Sequence, residues 1–155
     1  MRDMISPPFE SVVCPIDFSD CSANALKWAA WLAQAASKPL RLLHAVHVDM
    51  PAYLTEQQRD GILTQWAAVR EHAEQHLREW SAPNLPVGLD VVYEVSDAPP
   101  VEAIIAAAHR GNAWVVMGTH GRTGWRQVWM GSVTTRTIEQ AKVPVLAIPP
   151  DKSVC

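Results

Sequence analysis

Short apolar segments alternate with helical segments along this chain, and this alternation limits the fold more than any other feature. The short segments are apolar at nearly every position, whereas the longer ones repeat apolar residues every three or four positions. A strand that is apolar on both faces is typical of a parallel sheet with helices on both sides. The pattern therefore predicts an α/β fold in the order β-α-β-α-β-α-β-α-β. The predicted strands are 11–16, 40–48, 89–95, 114–117 and 143–148, and the predicted helices are 23–36, 55–80, a segment from the Pro99-Pro100 pair through 108, and 133–141.

The size and charge of the chain narrow the classes of function. With 155 residues, we expect a single domain over 1–155. The net charge of −3 and the absence of a Lys/Arg-rich block argue against nucleic acid as a partner. The first ten residues hold no apolar stretch of signal-peptide length, and the apolar stretch 28–36 is too short to cross a bilayer. We therefore expect a cytoplasmic protein that binds a small ligand and no membrane.

Two predicted strands end in residues with ligand-binding chemistry. In parallel sheets, ligands lie at the carboxyl ends of the strands, where the winding direction reverses. The equipped ends are Ile16-Asp17 and Met117-Gly118, and both would face one crevice if these strands are neighbours. The Asp17 carboxylate can accept a hydrogen bond from an amino group or a hydroxyl. Its alternative role is to cap the helix that follows Ser19.

A glycine-rich loop follows the fourth predicted strand. Four of the seven glycines fall within residues 118–131, and a predicted helix opens at Ser132. Glycine lets backbone N–H groups converge on an anion, and a helix N-terminus adds its positive end. The spacing is neither that of a Walker loop nor that of the dinucleotide fingerprint, and an ordinary turn is the alternative. Hydroxyl and cationic side chains that suit a phosphate chain are Ser132, Thr134, Arg122 and Arg126.

Five segments of the chain resemble the universal stress protein family. The glycine loop, Gly118-x2-Gly121-x9-Gly131-Ser132, is similar to the nucleotide-binding motif of that family. The five segments follow the order and spacing of the family over nearly the whole chain. They are 12–19, 42–46, 115–122, 131–133 and 143–147. The resemblance implies a single doubly wound five-stranded parallel sheet in the order 3-2-1-4-5, with helices on both faces.

The resemblance also implies a ligand, because family members with this loop bind ATP and a branch without the glycines does not. The implied neighbours of adenine and ribose are Pro15, Ile16, Asp17, the backbone of Ala45, Met117 and Gly118. The implied phosphate contacts, with Mg²⁺ bound alongside, are Gly121, Gly131, Ser132, Val133 and Thr134, and Arg122 would offset the phosphate charge from the rim of the loop. No catalytic residue and no set of protein metal ligands is predicted.

The last predicted strand resembles the one that pairs across a two-fold axis in family dimers. An exposed apolar edge is a liability unless it is paired, so we expect a homodimer through 143–148. The favoured function is a nucleotide-dependent stress or signalling role, and slow ATP hydrolysis or autophosphorylation on Ser or Thr stays open. One alternative is an ATPase or phosphotransferase that uses Asp17 and Mg²⁺. The other is an interaction module that binds AMP, cyclic AMP or no nucleotide.

The histidines receive no assigned role at this stage. His72 and His76 are four apart on a predicted helix, a spacing that could share a metal, but a solvated helix face is the favoured interpretation. His44 and His47 are expected to be packing or rim residues on opposite faces of a strand. His120 lies inside the glycine loop.

Overall fold

Five strands and four α-helices alternate in the parts of the chain that the structure describes. The computed structural model describes residues 6–47, 52–120 and 130–151. The strands are β1 Ser11–Pro15, β2 Leu40–Ala45, β3 Val91–Ser96, β4 Ala113–Gly118 and β5 Val145–Ile148. The helices are α1 Asp20–Ala36, α2 Glu56–Ser81, α3 Pro100–Arg110 and α4 Ser132–Gln140, and a short 3-10 turn, Ala82–Asn84, follows α2. No helix in the described parts of the chain is both long enough and apolar enough to cross a membrane.

The strands form one parallel sheet in the order β3-β2-β1-β4-β5, which confirms the predicted topology. The central strand β1 pairs with β2 on one side and β4 on the other, so that Val12 lies between Leu40 and Trp114. The winding direction therefore reverses between β1 and β4, and their carboxyl ends face one crevice.

The helices cover both faces of the sheet because successive strand residues point to opposite sides. On one face, Val12 and Cys14 pack with Leu26 of α1 and Leu77 of α2. On the other face, Val13 packs with Ile104 of α3, in a cluster against which α4 places Val133.

All five strands have ends that differ from the predicted ones, and for β2 and β5 the reason lies in the pairing. The second strand was expected to reach Val48, but β2 ends at Ala45, because β3 ends at Ser96 directly opposite. The N–H of Val46 still donates to the carbonyl of Ser96 at 2.8 Å, and residue 48 lies outside the described residues. The last strand begins at Val145, although the carbonyl of Pro144 accepts from the N–H of Val115 at 3.0 Å. Proline has no N–H to give to a ladder, so regular pairing starts one residue later.

A partly buried arginine ties α3 to the sheet. Arg41 of β2 donates to the carbonyl of Ala107 in α3 (2.7 Å) and to Glu94 of β3 (2.7 Å). Glu94 also accepts from Arg110 at 2.6 Å. This arrangement fixes the C-terminal half of α3, while its N-terminal half reaches the crevice at the other end of the strands.

Candidate functional site

A pocket of about 270 Å³ opens at the carboxyl ends of β1, β2 and β4. This volume lies near the lower end of the range for small-molecule sites. Every predicted site residue that the structure describes lines this one pocket. These residues are Pro15, Ile16, Asp17, Ala45, Met117, Gly118, Gly131, Ser132, Val133 and Thr134.

One part of the pocket is an apolar slot between the sheet and α3. Leu43 and Ala45 of β2 lie on the same face of the sheet, opposite Pro100 and Ile104 of α3. Leu43, Pro100 and Ile104 were not predicted from the sequence as pocket residues. Leu43 could have been found from strand periodicity, since it lies two residues before Ala45. Pro100 and Ile104 reach the pocket only through the packing of α3 against the sheet, which no local sequence pattern indicates.

The opposite part of the pocket is formed by the N-terminus of α4. Its N-cap residue, Gly131, is extended (φ −67°, ψ 156°), and no side chain caps the helix. The N–H of Gly131 donates to the carbonyl of Thr119 at 2.7 Å. The next two amides, in the first turn of α4, belong to Ser132 and Val133. First-turn amides have no partner within their own helix, and the helix dipole favours an anion beside them.

Two of the predicted site residues also have structural roles, Thr134 from the phosphate end and Gly118 from the base and ribose end. The hydroxyl of Thr134 donates to the carbonyl of Gly118 at 2.9 Å, which ties α4 to the end of β4. At Gly118 a Cβ atom would come within 3.1 Å of the carbonyl oxygen of Cys21 and 3.3 Å of that of His120. Glycine is needed there because two backbone segments approach closely. Gly121, Arg122 and Arg126 lie outside the described residues, so their assignments stay predictions.

Asp17 lines the pocket and also supports the start of α1, although the residue that caps this helix is Ser19. Its Oδ1 accepts from the N–H of Ser19 (3.0 Å) and from the Ser19 hydroxyl. Ser19 in turn caps α1, since its Oγ accepts from the N–H of Ser22 at 3.1 Å. The carboxylate therefore orders the turn before α1 and lies in the pocket at the same time.

Phe18, between Asp17 and Ser19, has a left-handed backbone with φ of 63°. That conformation costs an ordinary L-residue about 1–2 kcal/mol, and for a bulky residue it is an outlier. Its ring packs against three others, with centroid distances of 4.6 Å to His44, 4.5 Å to His76 and 5.5 Å to Trp80. Nothing in the sequence indicated a positive φ here, because the position is not glycine.

The histidines divide between the pocket and the helix surface. His44 lines the pocket, and its Nδ1 donates to the carbonyl of Ile16 at 2.7 Å. His120 also lines the pocket, and its Nδ1 is hydrogen-bonded to Thr119 Oγ1 at 3.0 Å. His72 donates to the carbonyl of Ala68 in its own helix, as a surface histidine does. His76 is exposed, as expected for a solvated helix face, and its ring also contacts that of Phe18 at a tilt of 51°.

Comparisons with known proteins agree on one family. A family model for the universal stress protein family matches residues 8–149. A universal stress protein of Methanocaldococcus jannaschii is 26% identical over 141 residues, which are 90% of this chain and 82% of that protein. The structure of universal stress protein UspA from Lactobacillus plantarum aligns with a TM-score of 0.70 at 23% identity, covering 92% of this chain and 99% of that one.

Two similar structures contain adenine nucleotides. A universal stress protein in complex with cAMP aligns with a TM-score of 0.61 at 19% identity, over 92% of this chain and 98% of that one. The universal stress protein from Archaeoglobus fulgidus in complex with dAMP aligns with a TM-score of 0.56 at 19% identity, over 90% of this chain and 98% of that one. At this level of identity the likeness is one of fold.

Proposed function

The chain belongs to the universal stress protein family, and on that premise we propose that it binds an adenine nucleotide, ATP first among them, in the pocket above β1, β2 and β4. One observation carries the proposal: an apolar slot and an uncapped helix N-terminus open into the same pocket. A base and a phosphate chain need these two environments side by side.

The described residues suit each part of such a ligand. The slot formed by Leu43, Ala45 and Ile104 fits the flat base, with the backbone of Ala45 at its edge. The Asp17 carboxylate lies where it can accept from a ribose hydroxyl. The first-turn amides of α4 suit the phosphates, and Arg122 is proposed to offset their charge. Mg²⁺ would enter with the phosphates, where it neutralises their charge.

We propose that nucleotide occupancy serves a stress or signalling role in the cytoplasm, with slow hydrolysis or none. Asp17 is the one carboxylate among the described residues that line the pocket. Its Oδ1 already accepts from the Ser19 amide, which suits a positioning group better than a general base. An ATPase or phosphotransferase needs a group that orients the attacking nucleophile, and a turnover near one per second would favour that alternative.

The proposed partner is a second copy of the chain, paired through β5. This strand lies at the edge of the sheet, with Leu146 exposed on it. Helix α1 lies beside β5, because Asn24 donates to the carbonyl of Pro149 at 3.1 Å. Trp28 and Trp31, one and two turns further along the same helix stripe, are more than half exposed. A strand edge flanked by exposed apolar side chains is a surface that favours pairing.

Thermal unfolding with ATP, ADP, AMP and cyclic AMP, each with and without Mg²⁺, tests the nucleotide site. A ligand at a hundred times its Kd should add about 2.7 kcal/mol to the free energy of unfolding. For a chain of this size, that stabilisation raises Tm by several degrees. The ranking of the four nucleotides separates an ATP protein from a cyclic-nucleotide protein.

Substitutions of Gly131 show whether the α4 N-terminus holds the phosphates. Because Gly131 is extended at the N-cap, both Asp and Asn there can cap α4 and keep the protein folded. Gly131→Asp places a negative charge on the first-turn amides and should abolish the shift with ATP, whereas Gly131→Asn should weaken it less. Equal shifts in the Asp variant and in the wild type would exclude this anion site. No shift with any nucleotide, once none is found co-purified, would favour the interaction-module alternative.

A further inference from the structure

We propose that Phe18 is a positioning residue, which holds the Asp17 carboxylate in the nucleotide pocket because its own ring is clamped by β2 and α2. Phe18 does not itself line the pocket. The effect on nucleotide binding rests on the proposed function, but the effect of Phe18 on the turn of residues 17–19 can be tested without a ligand.

The first support is a backbone conformation that the residue would not choose by itself. Phe18 is left-handed, with φ of 63°. A bulky side chain stays in that region only when its surroundings over-determine it. In the turn of residues 17–19, the surroundings are the two hydrogen bonds from Ser19 to Asp17 and the rings around Phe18.

The second support is the clamp itself, defined as the rings of His44, His76 and Trp80. His44 comes from β2, and the other two come from α2, one turn apart. Trp80 meets the Phe18 ring edge-on at 83°, a favourable aromatic geometry. If the clamp opens, the backbone at residue 18 relaxes toward negative φ. That rotation turns the neighbouring Asp17 and breaks its hydrogen bonds to Ser19.

The third support is that the α2 part of the clamp lies away from the ligand. His76 and Trp80 are not among the residues that line the pocket. His76 is exposed, so a change there reaches the pocket through Phe18, whereas Trp80 also packs against the core cluster that contains Ile16. Weaker binding caused by a change at His76 is therefore a positioning effect, since that side chain would not touch the nucleotide.

Amide hydrogen exchange of Ser19 in the ligand-free protein tests the clamp directly, because this N–H donates to Asp17 Oδ1. His76→Ala should speed the exchange of Ser19 by about threefold to tenfold. The matched control is His72→Ala. His72 is an exposed histidine one turn earlier, and its ring is hydrogen-bonded to the carbonyl of Ala68 in the same helix. Trp80→Leu, which keeps most of the apolar volume, should act in the same direction as His76→Ala. An unchanged Ser19 rate in both clamp variants would overturn the inference.

The binding test measures the Kd for ATP in the same variants and adds Asp17→Ala. His76→Ala should raise Kd by about threefold to tenfold, and His72→Ala should leave it unchanged. In an Asp17→Ala background, His76→Ala should have no further effect, because the clamp acts through that carboxylate. If wild type and His72→Ala bind no nucleotide, the proposed function fails while the Ser19 exchange result still stands. Two results would show that Phe18 does not position Asp17, given that wild type and His72→Ala both bind ATP. One is that His76→Ala binds ATP as tightly as wild type. The other is that His76→Ala raises Kd by the same factor in the Asp17→Ala background as in the wild type.

Discussion

At the scale of single residues, the middle of β1 contains a thiol with no exposed surface. Cys14 is fully buried between the sheet and helices α1 and α2, and burial raises its pKa far above the ordinary value. The folded protein therefore keeps the thiol protonated at pH values where the unfolded chain loses that proton. Since the folded state then binds more protons, stability falls as pH rises above the ordinary thiol pKa of about 8.5.

A Cys14→Val variant should remove this pH dependence. Between pH 8 and pH 10, the wild type should lose up to about 1.4 kcal/mol per pH unit more than the variant, because one proton is released on unfolding. Urea unfolding at each pH measures the difference, with pH 7 as the internal reference for the cost of the substitution itself. Parallel curves for the two proteins would show that the thiol ionises while still folded.

Some residues of the candidate site could be predicted from their neighbours in the sequence, whereas others depend on contacts between distant segments. Asp17, Met117 and Gly118 could be predicted because a buried strand followed by polar or glycine residues is a local pattern. Ile104 could not, because its place in the pocket depends on how α3 packs across β2 and β4. Phe18 could not either, since its left-handed backbone is held by rings from elements 26 or more residues away.

At the scale of elements, the end of α1 offers a position where glycine would fit better than the native residue. Ser37 has φ of 53° and ψ of 43°, the left-handed conformation of a helix C-cap. The N–H of Lys38 donates back to the carbonyl of Ala33 at 2.9 Å, which closes the helix end. This is the left-handed conformation that glycine usually adopts at the end of a helix, and here the residue is serine.

Ser37→Gly should therefore stabilise the protein by about 1 kcal/mol, because a left-handed residue without Cβ avoids the steric cost. The expected rise in Tm is about 2–4 °C for a chain of this size. Ser37→Ala is the control, since alanine keeps the Cβ and should give no gain. Equal Tm values for the Gly and Ala variants would mean that the C-cap is not under strain.

Element types followed from periodicity, whereas several element ends did not. The alternation of buried strands and amphipathic helices was enough for the order of elements, and α2 begins at a capping box formed by Thr55 and Gln58, which is a local signal. The end of β2 depends on where its neighbour β3 stops, which is a property of the pairing and not of β2 itself. The C-terminus of α1 was predicted at residue 36, as observed, but the left-handed cap was not, because the usual glycine is missing.

At the scale of the whole molecule, β5 is an edge strand of the sheet, and no other strand of the described residues pairs with its outer side. The carbonyls of Pro144 and Ile148 face β4, where they accept from Val115 and Thr119. Backbone groups alternate sides along a strand, so those of Val145 and Ala147 face outward. A second β5 related by a two-fold axis could pair with these outward groups without disturbing the existing sheet.

Ala147→Pro should convert the proposed dimer to a monomer, because proline removes an outward N–H while the bonds from β4 to Pro144 and Ile148 remain. Proline is tolerated at such edge positions, where the missing N–H is not used by the strand's own sheet. Leu146→Lys should act in the same direction by placing a charge on the exposed edge. Light scattering at micromolar concentration measures the mass, with Val87→Lys, at a fully exposed position away from β5, as the control. A wild-type mass of one chain would exclude the dimer, and a dimer that persists in both edge variants would place its interface elsewhere than β5. A dimer lost in both edge variants but kept in the control would place the two proposed nucleotide pockets in one continuous ten-stranded sheet, joined at β5.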